Sequence, residues 1–386
     1  MIDVRDKKKC CGCTACENAC PKKCITMVED EEGFLYPQIE VSSCIDCGLC
    51  EKVCPVKNTV SPVRRDLKTL VVRDKRADIV RSSTSGGIFT SIMEYVLRQN
   101  GVVYGVIMDD DRVAKHIRLE DIHDPRIKKI PGSKYVRSDI RGIYRPVKQD
   151  LDDGRIVCFS GTPCQVAGLK SYLRKDYKNL FTVDVVCRGN PSPLYWKKFV
   201  EYQEKQYKSR IIETKFRSKT YGYHSGSMRL LFANGKKYVG SVRVNLYLKA
   251  FFEDLCSRPS CYECAFKHAH RVSDLTVYDS WHAGELAGIK DDDKGYTNVI
   301  IQSENGQMLF DAVRETLDVY EVETEKAIAL DGCMVRDSVS WNPKRETFLK
   351  DLGQAEDLKA HCKKYFKISA VDYLIESLKK YVYFFK

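Results

Sequence analysis

Between residues 88 and 97 apolar side chains return every fourth position, with Ile88, Ile92 and Val96 in one row and Phe89 and Met93 beside it. That stripe predicts an amphipathic helix facing a core. Gly101 closes it, and the following "VVYGVIM" has the length and β-branched content of a buried strand. Further on, "GRIVCFSGTPCQVAGLKSYLRKDYKNLFTVDVV" reads as strand, tight turn, helix and strand, a βαβ unit whose strands pair in parallel. "FRSKTYGYHSGSMRLLFANGKKYVG" predicts a strand pair around the turn "ANGK", and "TNVIIQSENGQMLFDAVRETL" a scaffolding strand, turn and helix. Near the start, "CITMVEDEEGFLYPQI" reads as two short strands about an acidic turn at Glu29 to Gly33. The final "ISAVDYLIESLKKYVYFFK" is amphipathic with a basic, aromatic end. It is expected to pack on the domain's own core; a peripheral membrane surface or a partner helix are the other uses of such a face.

The chain has 386 residues, 43% hydrophobic and 30% charged, enough for a buried core and for about two or three domains. Its net charge of +11 is spread along the whole length and interleaved with Asp and Glu. No basic stripe or known reader motif accompanies it, so nucleic acid is not an expected partner; an acidic redox protein suits the charge better. The start "MIDVRDKKKC" lacks an apolar leader core, and no apolar run is long enough to cross a bilayer. A cytoplasmic location is therefore expected, and there 18 cysteines point to metal or redox chemistry rather than disulfides.

The cysteines are patterned. Cys10, Cys13, Cys16 and Cys20 precede Pro21, and the same spacing returns as Cys44, Cys47, Cys50 and Cys54 before Pro55. Three thiolates at three-residue steps wrap one face of a cubane while the fourth, before proline, reaches the neighbouring cluster. Two 4Fe-4S clusters follow: one on Cys10, Cys13, Cys16 and Cys54, the other on Cys44, Cys47, Cys50 and Cys20. Residues 1 to 60 thus resemble bacterial two-cluster ferredoxins, and Cys11 and Cys24, outside the spacing, read as small buried residues beside the clusters. The polar, proline-containing stretch at 61–70 is the expected linker, ahead of a larger domain over 71–340 and a C-terminal helical segment over 341–386.

In the larger domain Ser82, Ser83, Thr84, Ser85, Gly86 and Gly87 open the helix at 88, where free backbone N–H groups and the helix dipole favour a phosphate. Gly161, Thr162 and Cys164 end one strand of the βαβ unit and Cys187 ends the other, at the sheet edge where α/β proteins bind ligands. Cys158, inside the strand, reads as structural. A last group, Cys256, Cys261 and Cys264, lies in one irregular loop around Pro259. Three thiols are one short of a closed site. Cys187 and Cys164 are candidates for the fourth, with His268 and His270 as the alternatives that would suit zinc; a third 4Fe-4S cluster is favoured.

These stretches, in this order, resemble the coenzyme F420 hydrogenase/dehydrogenase beta-subunit family and its ferredoxin-fused members. The resemblance is carried by "CCGCTACENACP", "GFLYPQI", "CIDCGLCEKVCP", "SSTSGGIFT", "GVVYGV", "GSKYVRSDI", "FSGTPCQVAGLK", "VDVVCRGNPSP" and "RPSCYECAFK" with "VSDLTVYDSW". It implies an N-terminal two-cluster ferredoxin-like domain followed by a larger α/β flavin-binding domain with a mixed sheet. The function implied is that of an iron-sulfur flavoprotein oxidoreductase. FAD would exchange electrons between a hydride carrier, deazaflavin or other, and a one-electron partner, whether a redox protein or a small molecule. By the same resemblance Ser83, Thr84, Ser85, Gly86, Gly87, Ser133, Lys134 and Tyr135 contact FAD, with Gly161 and Thr162 completing the set. Cys187, Cys256, Cys261 and Cys264 hold the flavin-proximal cluster, with Cys164 as rival for the fourth place. Arg188 stands where relatives often carry His, as a charge for a reduced flavin or an acidic substrate, or as a surface arginine paired with a carboxylate. Arg217, Lys219, Tyr221 and Tyr223 face either the cofactor or solvent. No catalytic residue is assigned, and the alternative function is a non-catalytic electron-relay subunit of a larger redox complex.

Overall fold

A computed structural model describes residues 1–59, 62 and 65–384, with the side chains of 383 and 384 left aside. Part of the expected linker therefore lies outside the described residues, and its last positions, Lys68 to Leu70, already belong to a strand. The strands are β1 (Ile25–Glu29), β2 (Leu35–Ile39), β3 (Lys68–Asp74), β4 (Val102–Met108), β5 (Ala114–Leu119), β6 (Val157–Gly161) and β7 (Leu180–Val185). They continue with β8 (Ile211–Ser218), β9 (Ser227–Phe232), β10 (Lys237–Ser241), β11 (Leu275–Ser280), β12 (Tyr296–Ile301) and β13 (Leu317–Val322).

Eight strands form one mixed sheet in the order β13-β3-β12-β11-β7-β6-β4-β5. The centre, β4-β6-β7-β11, is parallel; β5, β12, β3 and β13 add antiparallel to its two sides. Buried on both faces, the central strands carry the continuous apolar runs that this burial requires. The helix foreseen at 88 runs Ile88–Arg98 and buries Ile88, Ile92, Met93, Val96 and Leu97 against one face. On the other face lie the helices Tyr144–Asp152 and Pro163–Leu173, and the core they make also takes in Cys13, Ala15 and Val53. The ferredoxin segment is thus part of a packed layer rather than an appendage. A second, aromatic core joins the separate sheet β10-β9-β8 to the helices Pro193–Tyr207 and Leu246–Phe252.

Within residues 1 to 58 the two cysteine loops repeat one backbone shape. Left-handed turns occur at Gly12 and Thr14 in the first loop and at Asp46 and Gly48 in the second. β1 and β2 pair Ile25 with Ile39 and Glu29 with Leu35, closed by Asp30, which accepts from Phe34 N at 2.8 Å. The tip docks on the larger domain: Ser192 Oγ donates to Glu32 O at 2.6 Å, and Arg345 forks onto the Glu32 carboxylate at 2.7 and 2.5 Å.

The C-terminal helix Ala370–Phe384 departs from the expected core packing. Its buried contact is Glu376, which accepts from Ser241 N and Oγ, while Val371, Leu374, Leu378 and Tyr381 are exposed. The hydrogen-bonding needs of the β10 end, rather than the apolar stripe, orient this helix. No helix among the described residues is long and apolar enough to cross a membrane.

Candidate iron-sulfur and cofactor site

The first cysteine set assembles as its spacing requires. Cys16, raised to about 12 by burial, also feels the charges of Cys10 and Cys54, so the cysteine before Pro55 does cross to the first repeat. The second set surrounds a cavity of about 370 Å³, open at its mouth, lined by Cys20, Cys24, Cys44, Cys47 and Cys50. Backbone amides point at its sulfurs: Ile2 N at 3.3 Å from Cys50 Sγ and Asp46 N at 3.4 Å from Cys44 Sγ. Among the described residues no three Cys, His, Asp or Glu side chains draw close enough to hold a single metal ion. Thiols ringed around a space suit a multi-iron cubane better than one tetrahedral ion. The two sets differ in exposure: Cys47 is exposed and its neighbour Ile45 is 58% accessible, whereas Cys13 and Cys16 are buried.

The third set is not the one chain adjacency indicates. Cys187 is pushed up first by burial and then by the charges of Cys261, Cys164 and Cys264. Cys261, raised by burial to about 11, and Cys264, also raised by burial, feel Cys164 in turn. Four thiols, Cys164, Cys187, Cys261 and Cys264, therefore gather at the carboxyl ends of β6 and β7, and Asn190 N lies 3.3 Å from Cys261 Sγ. Cys256 is not among them. The helix Leu246–Phe252 ends just before it, which places its fully buried side chain in the aromatic core with Tyr195 and Tyr247. His268 turns its Nε2 to Ala265 O at 3.0 Å, and Cys158 is a buried core residue.

This third set abuts the first ferredoxin loop. Cys11 is in thiol contact with both Cys13 and Cys164. Gly168, one turn beyond Cys164, has no side chain because a Cβ would stand 2.7 Å from Cys13 Cβ.

The FAD candidates divide. Thr84, Ser133 and Lys134 line one cavity of about 790 Å³, open to solvent, together with Gly132, Arg112, Lys128, Lys129, Lys215 and Arg217. The two segments named for the cofactor meet there: Ser133 N donates to Thr84 Oγ1 at 2.7 Å. Burial lowers Lys134 to about 7, and its Nζ is held by Lys129 O and Ile130 O at 3.0 and 2.6 Å. The size and the basic lining fit a dinucleotide phosphate. Ser83, Ser85, Gly86 and Gly87 have other employment. Ser83 caps the helix Ala77–Ser82, Ser85 Oγ and Gly86 N bond to Thr297 Oγ1 at 2.8 Å, and a Cβ on Gly86 would lie 2.4 Å from Val72 O. Gly87 takes φ +91° with a Cβ position 2.9 Å from Ile79, so these glycines serve close packing rather than a phosphate nest. Gly161 and Thr162 belong to the Cys164 end, where Thr162 caps the helix Pro163–Leu173 and its Oγ1 lies 3.2 Å from Cys164 Sγ. Tyr135 packs into aromatic side chains, 5.3 Å from the Phe251 ring. Arg217 pairs with Asp279 at 2.8 Å and stacks on Trp281, Lys219 donates to Val80 O and Ser85 O, Tyr223 bonds Asp279, and Tyr221 is buried. Arg188 pairs with Asp254 at 2.8 Å, the carboxylate-bound arrangement.

Residues 154–327 match the family model for the C terminus of the coenzyme F420 hydrogenase/dehydrogenase beta subunit, and residues 9–58 match the 4Fe-4S dicluster domain. The chain is a ferredoxin-fused member of this beta-subunit family. As a member it carries iron-sulfur clusters and an oxidoreductase role in electron transfer. No curated protein matches the sequence. Among solved structures, a chain of the F420-reducing NiFe hydrogenase complex from Methanosarcina barkeri, studied as a xenon derivative, is 18% identical over 77% of this chain and 90% of that one, with a TM-score of 0.44.

Sequence reading missed two residues of this site, Arg137 and Arg258. Both are arginines of the larger domain sunk into the first ferredoxin loop. Arg258 is fully buried and donates to Cys10 O at 2.7 Å and Leu35 O at 3.0 Å, with Nη2 3.5 Å from Cys10 Sγ. Arg137 donates to Cys11 O at 2.9 Å and to Gly12 O. Nothing local in the sequence marks either as buried.

Proposed function

We propose that the protein is an iron-sulfur flavoprotein oxidoreductase that couples a two-electron substrate or hydride carrier to a one-electron partner. The observation carrying this reading is the convergence of Cys164, Cys187, Cys261 and Cys264 beside Cys11. These four would hold a third 4Fe-4S cluster directly against the first ferredoxin loop. Thr84, Ser133 and Lys134 with their basic neighbours would hold FAD, which when bound exchanges two-electron for one-electron chemistry. The chain's own residues give this arrangement order. The segment 132–137 runs from the cavity, at Gly132 to Lys134, to the ferredoxin loop, where Arg137 grips Cys11 and Gly12. Exposed Cys47 and Ile45 mark the end open to a one-electron partner.

Oxygen-free purification followed by iron, sulfide and flavin determination tests the reading. About twelve irons and one FAD per chain are expected, with the flavin bleached by a low-potential donor or by one of a screened set of deazaflavin, nicotinamide and small organic substrates. About eight irons and no flavin would overturn it. Bound flavin that no offered substrate reduces would leave the relay-subunit reading in its place.

A further inference from the structure

The two buried arginines on the first ferredoxin loop have no carboxylate partners. Around them the other charges come in opposed sets: Lys7 with Asp30 and Glu31, Lys8 with Glu263, Arg345 with Glu32, and Glu17 close to Arg141 and Arg145. Among the described residues neither Arg137 nor Arg258 makes an ion pair. Arg258 is bound only to carbonyls, to Cys10 Sγ and to the faces of Tyr36 and Phe34 at 4.1 and 5.4 Å, and its Nη1 is buried without a partner. That Nη1 lies over Gly12, 3.0 Å from where a Cβ would be. Arg137 is bound to two carbonyls of the same loop, beside Cys11, Cys13 and Cys164. Burying two guanidinium groups without a counter-ion is strongly unfavourable. The fold holds them only if something negative sits between.

We infer that Arg137 and Arg258 are built-in countercharges of the cluster on Cys10, Cys13, Cys16 and Cys54, and that they set its reduction potential above that of the cluster on Cys20, Cys44, Cys47 and Cys50. A thiolate-ligated cluster is an anion whose reduction adds one more negative charge, so fixed buried positive charge and a donor to a ligand sulfur both favour the reduced form. The second set has no such partner: the charges around its cavity are Lys22, Asp46 and the amino terminus, all screened by solvent. An electron entering the ferredoxin module would then rest on the inner cluster, and passage to the outer one would be the uphill step. Arg137 and Arg258 are positioning residues, since they act through the cluster and its loop.

The test is an oxygen-free potentiometric titration of the whole protein followed by EPR, with Cys47→Ser identifying the signal of the outer cluster. The inner midpoint is expected above the outer one. Arg258→Met and Arg137→Met should each move the inner midpoint to lower potential with the outer one unmoved, and Arg258→Lys, which keeps the charge, should hold it near its original value. Three results overturn the inference: an inner midpoint below the outer in the unaltered protein, no movement in a Met variant that keeps its iron, or equal movement in the Lys and Met variants. Should the Met variants lose the inner cluster, the order of midpoints and the Lys variant still decide. The inference needs only the two ferredoxin clusters, so a protein found without FAD or a third cluster would refute the proposed function and leave this standing.

Discussion

Replacing Cys164 and Cys256 separately by Ala distinguishes the gathered thiol set from the one suggested by chain order. In Cys164→Ala one of the four thiolates at the β6–β7 edge disappears, and the variant is expected to retain about eight of twelve irons. The Cys256 side chain touches none of the other three and is 0% exposed among aromatic rings, so its loss removes a single buried atom. Deleting a buried group of that size costs about 1 kcal/mol, an apparent melting shift of about 2 °C in a chain of this length, with the iron unchanged. The assay is iron and acid-labile sulfide per chain on oxygen-free protein, with thermal melting alongside. Loss of about four irons in Cys256→Ala with full retention in Cys164→Ala would refute the assignment and restore Cys256 as a ligand.

Gly12→Ala should destabilise the inner loop, although Asp46 adopts the same left-handed turn, because the new methyl would meet the Arg258 guanidinium at 3.0 to 3.4 Å; selective loss of the inner cluster's EPR signal checks this. Asp46→Ala in the equivalent, exposed turn should leave the outer signal in place. Arg345→Ala breaks a buried two-pronged pair with Glu32 and should cost about 3–5 kcal/mol, read as a lower melting temperature with the hairpin tip released to proteolysis. Lys134, held down to about 7, binds fewer protons folded than unfolded between that value and its ordinary one. Stability should therefore rise as pH goes from 7 to 9, and Lys134→Met should flatten that rise in a series of melting curves.

Much of this architecture is legible in the sequence because its constraints are local. Cysteines at three-residue steps fix a loop around a cubane, and apolar side chains at four-residue steps fix the helix Ile88–Arg98, whatever the rest of the chain does. The choice between Cys164 and Cys256 is not local. It depends on where the helix Leu246–Phe252 delivers the chain, and that is decided by the packing of Tyr195, Tyr247 and Phe251. The glycines at 86 and 87 illustrate a second ambiguity, since close backbone packing and a phosphate nest call for the same residue type. Arg137 and Arg258 illustrate a third: in sequence a buried arginine looks like a surface one. The C-terminal helix misleads because its apolar periodicity is plain in the sequence while the demand of Ser241 for the Glu376 carboxylate is invisible there.

The grip of the larger domain on the N-terminal module bears on kinetics. Arg137, Arg145 and Arg258 all bind backbone carbonyls between Cys10 and Asn18, and Arg345 pins the hairpin tip. Carbonyls are present whatever the side chains, so this attachment is indifferent to the redox state of the thiol ligands. A swinging carrier arm, shuttling between docking stations, is incompatible with it. Throughput should then depend on protein concentration and salt only through encounters with the outside partner, while transfer inside the molecule runs at the same pace in dilute and concentrated buffer.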